Sequence, residues 1–252
     1  MRIVLAFAAL LALTLPASAE RLVSMVSRDE VAITSSFTGE TLTIFGNIEP
    51  DVGATEKFVT GPYNIVMTVT GPLQTRVARH SEPVFGIWMN TEQTVFRNFP
   101  SYYHVLSSAP LADITGAETI DELAITPQDQ VAQAAQGSTL QGLRLGEELI
   151  RLMTESQHIG VNPSGIVFRS GTLYAAQVTL PSDVPPGPYL AHTYLFKNGA
   201  LIAERSEGFS VRKIGFERFL GQSATDFPLF YGMVCVALAL FTGWLGGVVF
   251  KR

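Results

Sequence analysis

Cysteine is almost missing from this chain. The single one, Cys235, lies in an apolar run near the C-terminal end. No disulfide, sulfur-ligated zinc, iron–sulfur cluster, c-type haem attachment or thiol nucleophile is therefore expected before it. Stability must come from core packing, which a stretch of this length can supply. Basic charge is scarce too, with 17 Lys and Arg against 22 Asp and Glu. Arg2, Lys251 and Arg252 set aside, residues 20–226 carry a net charge of −8. That balance argues against a nucleic-acid footprint and against a polybasic membrane patch. Gly-x-Ser-x-Gly, His-Glu-x-x-His and phosphate-binding glycine loops are absent, as are internal repeats and low-complexity tracts. No catalytic residues, no enzymatic activity and no cofactor are expected.

The two ends carry the strongest signals. Arg2 precedes an uncharged apolar stretch from Ile3 to Leu15, Pro16 breaks it, and Ala17-Ser18-Ala19 has the small-x-small pattern of a cleavage site. Residues 1–19 read as a signal peptide, with Glu20 as the mature start. From Phe227 to Phe250 no residue is charged, which is long enough to cross a hydrocarbon core of about 30 Å. Lys251 and Arg252 follow. Positive flanks favour the cytoplasm, so the expectation is a single-pass inner-membrane protein with its domain in the periplasm and residues 251–252 inside.

Between the ends the pattern is that of a sheet. Leu42, Ile44, Gly46 and Ile48 share one face of a strand, and Ile65, Met67 and Val69 share one face of another. Val84–Met89 and Tyr102–Leu106 read as further strands. Tyr174, Ala176, Val178 and Leu180 alternate again, and Asn198-Gly199 predicts a hairpin turn. The 188–196 strand is apolar on both faces, as a strand covered on both sides would be. The middle changes period. Thr126-Pro127 predicts a helix start, Gly137 a stop, and Leu145, Leu149, Ile150 and Met153 make the apolar stripe of a helix from about Gly146 to Gln157. The Pro185-Pro186-Gly187-Pro188-Tyr189 corner resembles one in immunoglobulin-like sandwiches, where a tyrosine hydroxyl bonds back to the backbone. The fold expected is mainly β: an immunoglobulin-like β-sandwich over residues 20–212 with a helical insert near 127–158, one sandwich or two. A juxtamembrane segment, 213–226, and a membrane helix, 227–250, follow.

Candidate binding residues concentrate in 79–106. Trp88, Asn90, Tyr103 and His104, with Arg79 and Arg97, are the residue types that binding surfaces use. The competing reading makes Trp88 the core tryptophan, with the tyrosines packed around it. A copper or zinc site could draw on His80, His104, His158 or His192 with Met67, Met89 or Met153, but no pair of histidines has ligand spacing, so no metal is expected. In the membrane run, Gly232, Cys235, Ala239, Thr242, Gly243 and Gly246 fall on one side, and Gly247 completes a Gly-x-x-x-Gly pair with Gly243. Small residues let membrane helices approach closely. Leu240, Phe241, Trp244 and Leu245 lie opposite.

Five segments carry a family resemblance. They are Val31 to Gly46, Gly86-Ile87-Trp88-Met89-Asn90, Phe99-Pro100-Ser101-Tyr102-Tyr103, Leu180 to Tyr189, and Lys213 to Leu220. Tyr231-Gly232-Met233 and Gly243-Trp244-Leu245 in the apolar run belong with them. Together they resemble a family of alphaproteobacterial transmembrane proteins of unknown function. The resemblance implies an envelope protein with a signal sequence and one C-terminal span, and brings no catalytic residues. The function expected is an accessory or interaction module whose membrane helix self-associates or docks on another inner-membrane protein, a transporter being one candidate. The alternative is a periplasmic ligand- or metal-binding domain using 79–106.

Overall fold

The computed structural model describes residues 20–34, 36–51, 58–135 and 140–249. Residues 1–19, where a signal peptide is expected, the helix stop expected at Gly137 and residues 250–252 lie outside the described residues. In chain order the strands are β1 (Glu20–Val26), β2 (Glu30–Ile33), β3 (Glu40–Pro50), β4 (Tyr63–Thr70), β5 (Leu73–Val84), β6 (Ile87–Pro100) and β7 (Tyr103–Ser107). Four helices follow: α1 (Leu111–Ile114), α2 (Ala117–Glu122), α3 (Pro127–Ala134) and α4 (Leu140–Glu155). The chain returns to strand as β8 (Ile159–Asn162), β9 (Ile166–Phe168), β10 (Leu173–Leu180), β11 (Gly187–Lys197) and β12 (Ala200–Lys213). It ends in α5 (Phe216–Asp226) and α6 (Pro228–Val249).

A four-stranded sheet, β1-β3-β10-β9, faces a six-stranded sheet, β2-β12-β11-β4-β7-β8. Alternation on each strand sends Leu42, Ile44 and Ile48 of β3 and Tyr174, Ala176 and Val178 of β10 into the layer between them. They meet Ile65, Met67 and Val69 of β4, Leu195 of β11 and Phe209 of β12 there. Gly46 belongs to the same inward face because a Cβ at that position would overlap the Tyr174 hydroxyl. The β11–β12 hairpin turns at Asn198-Gly199, both with positive φ. Tyr189 is buried against Tyr102 and Phe209, and its hydroxyl donates to the Pro185 carbonyl at 2.8 Å, the bond the corner motif leads one to expect.

The outer face of the six-stranded sheet carries a second apolar layer. Val66, Tyr103, Val105, Tyr194 and Phe196 meet Ile114, Ile125, Val131, Leu145 and Met153 from the helices. This is why β11 is apolar on both faces. Helix α3 starts where the sequence says it should. Thr126 Oγ1 accepts from Asp129 N, and the Asp129 carboxylate accepts from Thr126 N, a capping box with proline in the first turn. Gly146 of α4 lets that helix close on α3, since a Cβ there would collide with Val131.

Several boundaries differ from the sequence reading, and two short helices were not expected. Val84–Met89 is not one strand, because Phe85 and Gly86 form the turn between β5 and β6. Helix α4 begins at Leu140, six residues before the expected Gly146 start, because Gly142 and Gly146 lie on its buried face. The 213–226 segment is mostly the helix α5, and Phe227 ends it, so the membrane helix begins at Pro228. The short helices α1 and α2 lack an apolar period long enough to see in sequence.

Candidate functional site

The 79–106 stretch is divided among elements that face different ways. Trp88 and Asn90 stand near the end of the β5–β6 ribbon, while Tyr103 and His104 lie on β7. Trp88 is 73% exposed, so it is not the core tryptophan. The turn at Phe85-Gly86 folds the apolar 84–89 run into a tip with no layer over it. Asn90 is exposed, and its Oδ1 accepts from Ser81 Oγ at 2.7 Å. Tyr103 points into the helical layer, where its hydroxyl donates to the Ile125 carbonyl at 2.9 Å and burial drives its pKa far up. His104 is the next residue, so strand alternation turns it to the opposite face. It stacks on Tyr102 with ring centroids 4.5 Å apart, and its Nε2 lies 3.1 Å from the Gln157 carbonyl. Burial holds its pKa down; the Gln157 carbonyl opposes that shift and the nearby His158 adds to it. The four candidates therefore form two separate pairs and do not line one cavity.

The histidines and methionines are dispersed as well. His80 lies 3.2 Å from Glu82 on the ribbon, and His192 stacks on Tyr194. Met67 and Met153 are buried in the two apolar layers, whereas Met89 is at the ribbon tip. Among the described residues no three His, Cys, Asp or Glu side chains converge to hold a metal.

One polar cluster had no sequence signal, because its members come from distant segments. His158 is buried, with Nδ1 3.0 Å from Ser156 Oγ and Nε2 3.7 Å from the Asp183 carboxylate. Ser156 and Asp183 line a cleft of about 480 Å³, together with Thr38, Thr41 and Thr179 among others. The order Ser-His-Asp suggests a nucleophile, but the setting opposes one. Ser156 donates to the Met153 carbonyl at the C-terminal end of α4, the negative end of the helix dipole, where a developing alkoxide is disfavoured. A histidine there ties the helix end to the proline-rich corner.

The membrane helix is the other candidate surface. Among the described residues α6 is the one helix long and apolar enough to cross a membrane, with mean hydropathy 2.0. None of the strongest apolar window is buried against the rest of the chain. A Cβ added at Gly232, Gly243, Gly246 or Gly247 would meet nothing within 4 Å. Cys235 and Ala239 are exposed alongside them. The Thr242 hydroxyl folds back onto the Leu238 carbonyl at 2.8 Å, leaving this side of the helix apolar and open. Of the tip residues, Phe85 was not singled out in sequence, and Ile87 and Met89 were not read as an exposed tip; the signal for that is the Phe85-Gly86 dipeptide inside an uncharged run.

No curated protein matches the sequence. Among solved structures, the Pseudomonas fluorescens alkylpurine DNA glycosylase AlkC bound to DNA containing an abasic site analog is similar at 11% identity and a TM-score of 0.27. That match covers 80% of this chain but 32% of the glycosylase, so the chain spans about a third of its length, and a likeness this slight carries no argument. The family comparison is of a different order: with its family model matched over residues 21–252, the chain belongs to the family described as "Putative transmembrane protein (Alph_Pro_TM)".

Proposed function

We propose that this chain is a membrane-anchored accessory module, with its β-rich domain in the periplasm and α6 docked on another inner-membrane protein or on a second copy. The observation that carries this reading is the small-residue side of α6, formed by Gly232, Cys235, Ala239, Gly243, Gly246 and Gly247 and covered by nothing within the described residues. An anchor that needs only lipid has no use for such a face. Helices that pack in membranes use one, because close backbone approach gains dispersion contacts and weak hydrogen bonds. The basic end of the sequence and the signal-like start support the orientation.

Site-specific crosslinking tests the reading. Photoreactive groups at Ala239 and Gly243 should capture a protein neighbour, and one at Leu240 should capture mostly lipid. Gly243→Leu or Gly246→Leu should weaken that capture without changing export. Lipid capture from both sides would leave α6 a passive anchor and remove the proposal. Protease added to spheroplasts should digest the domain; full protection would reverse the orientation.

A further inference from the structure

The β4–β7 ladder does not stop where the six-stranded sheet does. Gly71 N donates to the Tyr102 carbonyl at 2.8 Å, Ser101 N donates to the Pro72 carbonyl at 3.0 Å, and Leu73 then pairs with Pro100. The β5–β6 ribbon is the continuation of this ladder past the sheet. The pairing identifies which end it leaves from. Thr70 lies opposite Leu190, and Gly187 lies opposite Val211, so this is also the end where β12 finishes and the chain departs for α5 and α6. The same end carries an apolar groove of about 680 Å³ lined by Pro72, Leu73, Tyr189, Leu190 and Phe209 among others. Ribbon and anchor thus leave from one apolar end of the domain.

The two halves of the ribbon differ. Near its root, Phe96 and Phe99 are buried in the helical layer and hold it in place. Toward the turn, Phe85 is 101% exposed, Trp88 73%, Ile87 68% and Met89 52%. From Pro83 to Thr91 no residue is charged. Glu82, opposite Met89, approaches His80 down the ribbon at 3.2 Å, away from the tip. Behind the apolar end sits a polar collar, Ser81 bonded to Asn90. Phe85 holds a left-handed φ of 51°, unfavourable for an aromatic residue, with no burial to offset it. A two-stranded ribbon is marginal by itself, and an exposed apolar patch marks a contact.

We infer that Phe85, Ile87, Trp88 and Met89 form a second membrane contact, dipping into the interfacial zone of the bilayer that α6 crosses. The tip is convex, and a fluid bilayer accepts a convex apolar end without a matching concavity. Tryptophan with aliphatic and aromatic neighbours and no charge is the composition that settles at the lipid–water boundary. The bilayer is also the one apolar partner this chain brings with it. The tether is short: α5 is 11 residues, about 16 Å of helix. A strand as long as β5, 12 residues, reaches about 40 Å. With residues 20–226 at −8, the attraction is apolar and not electrostatic. The contact is independent of any partner of α6 and would fix how the domain stands over the membrane.

The chain has two tryptophans, Trp88 and Trp244, so Trp244→Phe leaves Trp88 as the only reporter. The full-length variant is reconstituted alone into vesicles of phosphatidylethanolamine and phosphatidylglycerol, and separately into phosphatidylcholine. In both, Trp88 emission should be blue-shifted, quenched by lipids labelled near the headgroup, and protected several-fold from iodide present on both sides. High salt should change none of this. Phe85→Ser with Ile87→Ser, checked for native circular dichroism, should abolish lipid quenching in the vesicles, while α6 crosslinking of the same variant in native membranes persists. Trp88 open to iodide and untouched by labelled lipid overturns the proposal. A blue shift without lipid quenching, rising with protein density or needing a second protein, assigns the tip to a protein contact and overturns it equally.

Discussion

The turns Asn198-Gly199 and Phe85-Gly86 share a backbone: φ is 52° and 86° in the first, 51° and 82° in the second. Their chemistry is opposite. Asn198 tolerates the left-handed region because its short polar side chain can bond locally, and the strand leading to it buries Phe196 one residue before its end at Lys197. The Asn-Gly hairpin is built for folding. Phe85 occupies the same geometry at a cost of about 1–2 kcal/mol, and its ring lies fully in the open. Equal backbones with unequal side chains separate what closes a hairpin from what the hairpin is for.

Truncating the apolar residue at each hairpin tests that contrast most severely. Phe196→Ala should destabilise the full chain in detergent by about 3–5 kcal/mol in urea unfolding, since it empties a packed site. Trp88→Ser should stay within about 0.5 kcal/mol of the parent, as exposed substitutions do. Comparable losses at both positions would mean the tip is structural and end the comparison. Tyr189→Phe, at the corner that leads into the Asn-Gly hairpin, should lose about 1 kcal/mol, one hydrogen bond to the Pro185 carbonyl. Phe85→Asn should move the other way. By placing a tolerant residue at a left-handed φ it should gain up to about 1 kcal/mol of stability in the same assay, and membrane contact at the tip should weaken. A stabilised variant with undiminished contact would detach the strain from the function.

The smallest effect concerns pH. His104 pairs with Val69 in the ladder from which the ribbon continues, and burial lowers its folded pKa below 6.5. Below about pH 6.5 the unfolded chain therefore binds the proton more readily than the folded one. The stability contributed by neutral His104 is complete above that value and is lost as pH falls through the folded pKa. His104→Gln should flatten this part of the profile in urea titrations. An unchanged profile would show that His104 is no more burdened in the fold than in the open chain.

Local chemistry was enough for the sequence to determine much of this protein. The Asn198-Gly199 turn, the Tyr189 corner, the Thr126-Pro127 helix start and the apolar run of α6 each depend on residues within a few positions of one another. Period-two alternation was equally legible on β3, β4 and β10, and a strand apolar on both faces implied two covering layers. The candidate site was legible only as composition. Tyr103 and His104 are adjacent, yet alternation sends one into the helical layer and the other to Tyr102. Trp88 resembled a core residue because an apolar stretch reads the same whether it crosses a sheet or bends at its middle. Only tertiary structure decided that Phe85-Gly86 bends it, that Phe96 and Phe99 are packed while the tip is not, and that His158 meets Asp183. Those outcomes depend on which surfaces remain after the two apolar layers close, and that depends on contacts between residues far apart in the chain.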